Sequence, residues 1–284
     1  MKIAIVGSSG YISGYLISRF QHDPGITEII KIDQNQDADC FLDLQEPENF
    51  DYAVLRKVDY VIFTAAISGP DKCAEEFDLC WKINVTGTSY FIRKALEQGC
   101  KVLFFSSDAV FGDIPGYIYQ EDSQTCAQTP YGKMKKAIED TFWGDPSFKA
   151  IRLSYVASAQ DRFVRYCMKC IDNNEEAEVF HPFYRNCIVV SDVVNVVQWM
   201  IRNWNMYTPV VLNVAGKELV SRVRIADELN RISGNKLRFR IVAPDERFYQ
   251  NRPPITQMKS IYMQKYHILE DNSFTEKIKM EMEI

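Results

Sequence analysis

No apolar run in this 284-residue sequence is long enough to cross a membrane. We expect no secretory signal peptide either, because the chain opens on a strand pattern and a glycine turn. Basic residues are scattered rather than gathered into a run, and the formal net charge is −5, so neither nucleic acid nor a membrane surface is an expected partner. Internal repeats and low-complexity segments are also absent. These absences predict an ordinary globular protein of the cytoplasm.

The eight cysteines do not form the dense disulfide framework of a small secreted protein, because the chain is long and 46% of it is hydrophobic. Cys167 and Cys170 form a Cys-x-x-Cys motif, but no second pair completes a metal site. The motif lies in a predicted helix, where packing is the more common role. We therefore predict no metal site.

The most distinctive stretch is the short apolar run at residues 3–6, followed at once by Gly7 and Gly10. Such a strand, glycine turn and helix N-terminus bind anions, because glycine lets the backbone approach a phosphate and the helix dipole attracts negative charge. A second predicted strand ends at Asp33, whose carboxylate can accept hydrogen bonds from both ribose hydroxyls of an adenosine. Together they predict a dinucleotide site. Ser13 stands where a third glycine would complete the motif and leaves the helix–strand packing open.

Strand patterns alternate with helix patterns along the first half of the chain. Strands are predicted near 2–6, 28–32, 59–63, 101–105 and 149–154, and helices near 11–21, 72–98, 131–143 and 160–173. This alternation is typical of a doubly wound parallel (Rossmann) sheet in the α/β class. Later patterns predict strands at 188–190 and 210–213, a helix that Ser191 caps and that runs through Trp204, and a helix at 221–232. We expect a dinucleotide-binding domain at 1–155 and a smaller C-terminal α/β substrate lobe at 156–284, interleaved with it.

Tyr131 and Lys135 lie four residues apart, on one face of a predicted helix. An ammonium beside a phenol favours the phenolate and lowers its pKa from about 10, which makes the tyrosine a usable acid or base. A chance pair on an exposed helix is the alternative.

The strand predicted at 101–105 ends in Ser106, Ser107 and Asp108, at the edge where a doubly wound sheet carries its active site. The Ser107 hydroxyl would hydrogen-bond a substrate carbonyl while Tyr131 transfers the proton. A simple turn or cap is the alternative for these polar residues.

With these three motifs in this order, the sequence resembles the extended short-chain dehydrogenases/reductases, in the branch of sugar-nucleotide epimerases, dehydratases and reductases. The resemblance covers nearly the whole chain. It implies a nucleotide-sugar substrate, an NAD(P) cofactor that exchanges hydride with C4 of the sugar, and a homodimer. The dimer would form a four-helix bundle from helices 72–98 and 131–143 across a two-fold axis.

The resemblance also implies residue roles. It makes Ser107, Tyr131 and Lys135 catalytic, and Ser107 and Asp108 substrate-binding. Arg185 and Arg252 would grip the substrate diphosphate, since a planar guanidinium pairs bidentately with phosphate oxygens; solvated surface arginines are the alternative. The expected cofactor-binding residues are Gly7, Ser9, Gly10, Tyr11, Ile12, Asp33, Asp43, Leu44, Thr64, Ala65, Ala66, Asn84, Ser106, Tyr131 and Lys135.

Three functions stay open. Ala109 stands where family dehydratases carry a second acid, which argues against elimination of water. The stretch Ser-Asp-Ala-Val-Phe resembles that of 4-keto-sugar nucleotide reductases of the dTDP-4-dehydrorhamnose reductase type, and the short lobe is typical of that group. The stretch after Arg185 is closer to the NAD-dependent 4-epimerases. Our first interpretation is the reductase and our second the epimerase. A non-enzymatic NAD(P)-sensing regulator is the third, although such proteins tend to lose the tyrosine or the lysine.

The cofactor preference follows from Asp33, because a carboxylate repels the 2′-phosphate of NADP(H). Residues 34–36 carry no basic side chain that could bind that phosphate. We therefore expect NAD(H), while NADP(H) stays open because related reductases often prefer it.

Overall fold

The alternation of apolar strands and helices is present in the computed structural model, which describes residues 1–282. Its strands are β1 (Lys2–Val6), β2 (Glu28–Asp33), β3 (Cys40–Phe41), β4 (Tyr60–Phe63), β5 (Lys101–Ser107), β6 (Ile118–Tyr119), β7 (Phe148–Leu153), β8 (Val156–Ala157), β9 (Glu176–Phe180), β10 (Tyr184–Arg185), β11 (Ile188–Val189), β12 (Val211–Val214), β13 (Val220–Ser221), β14 (Arg238–Val242) and β15 (Ile255–Met258).

The α-helices are α1 (Tyr11–Gln21), α2 (Pro70–Glu75), α3 (Phe77–Trp81), α4 (Thr88–Glu97), α5 (Pro130–Phe142), α6 (Arg162–Asp172), α7 (Val190–Arg202), α8 (Arg222–Ile232), α9 (Glu246–Gln250), α10 (Tyr262–Lys265) and α11 (Phe274–Met282). Short 3₁₀ turns occur at Pro47–Asn49, Tyr52–Leu55 and Asp108–Val110. None of these helices combines the length and the apolar character that a membrane span requires.

Seven strands form one sheet in the order β12-β7-β5-β4-β1-β2-β3. The pairings from β3 through β2, β1 and β4 to β5 are all parallel. Strands β1 and β4 are almost entirely buried, as expected for a parallel sheet covered by helices on both faces. The predicted doubly wound α/β fold is therefore confirmed.

The described chain divides into two units. The first contains Met1–Phe111, Gln124–Arg152 and Gln198–Leu212, and the second contains Gly112–Ser123, Leu153–Val197 and the chain from Asn213 onward. The core of the first unit packs sheet residues such as Val6, Phe63 and Phe104 against helix residues that include Phe91 and Ile138.

Small sheets and helices build the second unit. Its sheets have the orders β13-β10-β15-β6, β11-β8 and β14-β9. Its core contains Val164 of α6, Leu229 of α8 and Ile278 of α11. Cys167 and Cys170 belong to this core, so the Cys-x-x-Cys motif packs inside the unit as an ordinary helix face.

Two sequence expectations about helices are wrong. The single helix expected at 72–98 is broken at Glu76 and contains a π-helical turn at Lys82–Gly87 between α3 and α4. Ser191 does not cap α7, because the helix already begins at Val190. The backbone N–H of Ser191 instead donates to the carboxylate of Glu281 at 3.2 Å, so the long-range partner satisfies this helix end.

Candidate active site

The glycine turn after β1 has the backbone geometry that a phosphate-binding loop needs. Gly7 has a φ of +86°, and a Cβ atom there would lie 2.6 Å from the backbone nitrogen of Ala65. Only glycine fits such a position, for steric and conformational reasons. Gly10 precedes α1, and no side chain caps the first turn of this helix. Its N-terminal N–H groups therefore suit an anion such as a diphosphate.

Asp33 ends β2 and holds the glycine loop. Its Oδ2 accepts hydrogen bonds from the backbone N–H of Ser9 at 2.9 Å and from the Ser9 hydroxyl at 2.8 Å. Its Oδ1 accepts from the N–H of Asn35 at 3.2 Å. The carboxylate thus lies beside the loop, where the ribose of a dinucleotide is expected, and it also fixes the loop to β2.

Ser13 fills the position of the third glycine by hydrogen bonding. Its hydroxyl lies 2.8 Å from the Thr64 hydroxyl, which in turn donates to the carbonyl of Val6 at 2.8 Å. This part-buried pair ties α1 to the ends of β1 and β4. The larger side chain is accommodated because its polar atom has a partner.

Asn84, one of the residues expected to bind the cofactor, is hydrogen-bonded to the backbone near the glycine loop. The amide of Asn84 accepts from the N–H of Ile67 at 2.8 Å and donates to its carbonyl at 2.9 Å. Asn84 therefore positions the segment that follows Thr64, Ala65 and Ala66, instead of offering free polar atoms. The remaining expected residues lie as follows: Asp43 accepts from the N–H of Gln45 at 2.8 Å, Leu44 packs half-buried on the core, Tyr11 is exposed, and Ile12 is half-buried.

Ser107 and Tyr131 are brought together by a close contact between two elements. The Ser107 hydroxyl accepts from the N–H of Ala109 at 3.2 Å and donates to Asp108 at 3.1 Å, so it caps the turn after β5. A Cβ atom on Gly132 would lie 2.0 Å from the Ala109 carbonyl oxygen. The turn therefore lies directly against the first turn of α5, which carries Tyr131. Sequence reasoning missed Gly132, although a glycine inside a helix is a usable signal.

Lys135 lies buried one helical turn beyond Tyr131. Its Nζ donates to the carbonyl of Phe105 at 2.7 Å and stands 5.7 Å from the centre of the Tyr131 ring. Burial lowers the pKa of Lys135 to about 7. Burial also raises the pKa of Tyr131, and the nearby Cys73 thiol and Asp108 carboxyl raise it further.

The expectation that Lys135 lowers the pKa of Tyr131 is therefore wrong for the free protein. Loss of water penalises both charged forms, and the ammonium is held by the Phe105 carbonyl rather than by the phenol oxygen. Tyr131 is a protonated phenol at neutral pH.

A buried charge network lies behind the strand end. Ser106 donates to Glu139 at 2.5 Å, and Arg152 pairs with the same carboxylate at 2.7 Å. The Ser106 hydroxyl uses its proton in the hydrogen bond to Glu139. Sequence reasoning missed Glu139 and Arg152. The only signal was the spacing of four residues between Lys135 and Glu139 on α5.

The two expected diphosphate arginines lie in the second unit. Arg185 donates to the carbonyls of Tyr184 at 2.7 Å and Pro253 at 2.8 Å, and its guanidinium carbon stands 4.4 Å from the Phe183 ring centre. Arg252 follows α9, and its guanidinium carbon lies 5.1 Å from the Phe248 ring centre.

A dinucleotide fits the first unit on these observations. The Gly7 turn leaves no room for a Cβ, the first turn of α1 has no side-chain cap, and Asp33 stands at the loop. Within residues 1–282, no group of three or more His, Cys, Asp or Glu side chains is arranged to hold a metal ion.

Comparisons with known proteins agree on the family. The family model described as RmlD substrate binding domain matches residues 1–283. The dTDP-4-dehydrorhamnose reductase of Salmonella typhimurium is 27% identical over 193 residues, and UDP-glucose 4-epimerase 1 of Oryza sativa subsp. japonica is 31% identical over 105 residues. The crystal structure of dTDP-4-dehydrorhamnose reductase from Bacillus anthracis in complex with NADP has a TM-score of 0.82 at 19% identity, covering 99% of this chain and 98% of that one.

The matches to the two curated relatives are partial. The reductase match covers 65% of this chain and 61% of the reductase, and the epimerase match covers 35% of this chain and 30% of the epimerase. The solved structure, in contrast, shares the fold along nearly the whole chain.

Proposed function

The chain belongs to the family of the RmlD substrate-binding domain, within the extended short-chain dehydrogenases/reductases, and on that premise we propose that it is an NAD(P)-dependent reductase of a 4-keto sugar nucleotide. The substrate class is that of the Salmonella relative, dTDP-4-dehydrorhamnose. Residues 1–155 supply the cofactor site and the catalytic residues in this proposal, and residues 156–284 bind the nucleotide sugar.

The observation that carries the proposal is the contact between Gly132 and Ala109, which joins the turn of Ser107 to the helix turn of Tyr131. We infer that the Ser107 hydroxyl, the Tyr131 phenol and the Lys135 amine face one substrate at the carboxyl end of β5, in the unit that also holds the glycine loop. This combination suits proton transfer to a carbonyl oxygen beside a dinucleotide.

In the proposed reaction, Tyr131 donates its proton to the C4 oxygen of the keto sugar. Burial raises the pKa of Tyr131, so the phenol holds its proton at neutral pH and acts as an acid, which is the role that reduction requires. Ser107 gives the same oxygen a second hydrogen bond. A phenolate raises the pKa of a nearby amine, so Lys135 holds a proton as Tyr131 loses its own. A bound nicotinamide would supply the hydride.

We propose NAD(H) as the preferred cofactor because the Asp33 carboxylate stands at the expected ribose position. The Bacillus anthracis reductase was solved with NADP, so both cofactors belong in the assay. We propose that the guanidinium cluster that contains Arg185 and Arg252 binds the substrate diphosphate, and that Asp108 binds the sugar.

The experiment is to follow oxidation of NADH and of NADPH with dTDP-4-dehydrorhamnose. Replacing Tyr131 by Phe should lower kcat/KM by at least about 100-fold, which is the usual contribution of general acid catalysis. Tyr90→Phe is the matched control, since this half-buried tyrosine of α4 lies beside Tyr52 and should leave the rate unchanged. Equal rates for wild type and Tyr131→Phe would contradict the catalytic assignment.

The second candidate is a UDP-glucose 4-epimerase, which the partial match to the rice enzyme favours. An epimerase must retain its reduced cofactor between two half-reactions, whereas a reductase releases the spent cofactor after each turnover. Denaturing the purified protein and measuring the released nicotinamide separates the two. An empty site supports the reductase, and near-stoichiometric NAD would support the epimerase.

We further propose a cytoplasmic homodimer. All eight cysteines are free thiols, as is usual in a reducing compartment. Phe77 and Leu79 of α3 and Trp143 at the end of α5 are exposed apolar side chains that a second copy would cover. Light scattering at micromolar concentration tests the dimer, and a monomer there would contradict it.

A further inference from the structure

Arg222, the first residue of α8, has a charged side chain that aromatic rings enclose. Within residues 1–282 its guanidinium has no hydrogen-bond acceptor and no ion pair, and its Nε is buried. Four phenylalanine rings surround it, with distances from the guanidinium carbon to the ring centres between 4.8 and 5.8 Å: Phe163, Phe180, Phe183 and Phe248. Aromatic faces attract a cation but leave its five N–H donors unused.

Two other arginines of the same helix form ion pairs, although the buried Nε of Arg224, like that of Arg222, has no hydrogen-bond partner among residues 1–282. Arg224 pairs with Glu228 at 2.9 Å, and Arg231 lies 3.7 Å from the same carboxylate. Both arginines thus interact with Glu228, an acidic residue of the same helix. Arg222 is therefore not an ordinary member of a charged helix surface, and a buried donor without an acceptor is costly unless a ligand supplies one.

The nearby acid is already engaged. The Asp161 carboxylate accepts from the Tyr155 hydroxyl and from the backbone N–H groups of Phe163 and Val164, where it caps α6. It interacts with Arg222 through charge only. The donors of Arg222 thus remain available to a second, external anion.

Two more guanidinium groups share the same aromatic rings. Arg185 stands 4.4 Å from the Phe183 ring centre and Arg222 4.8 Å from it. Arg252 stands 5.1 Å from the Phe248 ring centre and Arg222 5.4 Å from it. Arg222 is thus the middle of three cations. A concentration of positive charge on low-dielectric walls suits an anion of more than one charge, such as a diphosphate.

Arg185 has a different role in this cluster. Its two terminal nitrogens donate to the carbonyls of Tyr184 and Pro253. It thereby fixes β10 to the segment that follows Arg252. The guanidinium of Arg185 already donates to two carbonyls, so it is less suited to bidentate pairing with a phosphate than the guanidinium of Arg222.

We propose that Arg222 is the principal residue that binds the diphosphate of the nucleotide sugar, and that Arg185 is a positioning residue for the Arg252 segment. The inference rests on the proposed function and deepens it, because it assigns the anion to a residue that the sequence resemblance did not single out.

The test is the affinity for UDP and dTDP, measured by titration calorimetry for wild type, Arg222→Gln, Arg222→Lys and the control Arg231→Gln. Loss of charge-assisted hydrogen bonds should weaken nucleoside diphosphate binding by about 10- to 100-fold in Arg222→Gln. Arg222→Lys keeps the charge but loses the fork, so we expect about tenfold weaker binding, and it carries the test if Arg222→Gln does not fold. Arg231→Gln should bind as wild type, and NADH affinity should stay constant in all variants.

The outcomes separate this inference from the proposed function. Wild-type affinity for UDP and dTDP in folded Arg222 variants would overturn the inference alone. A wild-type protein that binds NADH but neither nucleoside diphosphate would overturn the nucleotide-sugar substrate, and the inference with it. In turnover, Arg222→Gln should raise KM and leave kcat nearly unchanged, since the residue does not touch the reacting carbonyl.

Discussion

A Cβ atom on Gly132 would lie 2.0 Å from the carbonyl oxygen of Ala109. The first turn of α5 and the turn after β5 therefore pack with their backbones in direct contact. Because Tyr131 precedes Gly132, and Ser107 caps the turn that contains Ala109, this contact sets the relative position of the two proposed catalytic groups.

Gly132→Ala should displace the turn of Ser107. Such overpacking costs about 1–3 kcal/mol of unfolding free energy, and we expect a larger loss of kcat than of cofactor affinity. Gly144→Ala is the matched control, because a Cβ there has no neighbour within 4 Å. Urea unfolding and steady-state kinetics measure both effects. Wild-type kcat in Gly132→Ala would show that the contact does not position the site.

Asp33→Ser should shift the cofactor preference. The change removes the carboxylate that accepts from the Ser9 N–H and hydroxyl, so NADH binding weakens, and it also removes the charge that repels a 2′-phosphate. We expect the ratio of kcat/KM for NADPH over NADH to rise by about tenfold or more, equivalent to about 1.4 kcal/mol. Asp37→Ser, at an exposed position shortly after β2, should leave the ratio unchanged. An unchanged ratio in Asp33→Ser would argue against the ribose assignment.

Lys135 should make stability depend on pH. Burial lowers the pKa of this amine from 10.5 to about 7. Between these values the unfolded chain binds a proton that the folded chain lacks, so stability rises with pH. We expect the unfolding free energy of wild type to rise relative to Lys135→Met from about pH 7 to about pH 9. Chemical denaturation of both proteins measures the difference, and a difference that does not change with pH would contradict a neutral buried amine.

The buried pair of Arg152 and Glu139 should matter far more for stability than an exposed pair on the same helix. Glu139→Gln leaves the Arg152 guanidinium buried without its counter-charge, and we expect a loss of about 3–5 kcal/mol. Lys136→Met, which breaks the exposed pair with Asp140, should cost no more than about 1 kcal/mol. Equal costs for the two variants would show that burial does not distinguish the pairs.

The sheet of the first unit could be predicted from sequence because its strands are buried on both faces. A continuous apolar run, such as that of β1 or β4, predicts a buried strand from its own residues alone. Gly7 and Gly10 then follow directly after β1, and Asp33 ends β2. Strands β9 and β14 were not predicted. They pair with each other, and each begins with charged and apolar residues in alternation, Glu-Ala-Glu-Val in β9 and Arg-Phe-Arg-Ile in β14. This period of two is a usable strand signal, but each run is only five residues long.

The features that the sequence did not predict depend on contacts between segments that are distant in the chain. The helix expected at 72–98 breaks at Glu76 and becomes π-helical around Asn84, whose amide is hydrogen-bonded to the backbone of Ile67. Gly132 is required by a carbonyl in another element. The pKa of Tyr131 depends on burial that the spacing to Lys135 does not reveal. The sequence thus predicted candidate catalytic residues such as Tyr131, but it did not predict the direction in which their pKa values are shifted.

The most direct test of the central claim is to supply NADH deuterated at the transferred position, each stereoisomer in turn, together with dTDP-4-dehydrorhamnose, and to weigh the product. A reductase places one deuterium on the sugar for each NADH consumed, and we expect this result with one of the two stereoisomers. A dTDP-4-dehydrorhamnose sample that gains no deuterium, together with a parallel UDP-glucose sample that is converted to its 4-epimer without consumption of NADH, would contradict the reductase and identify an epimerase.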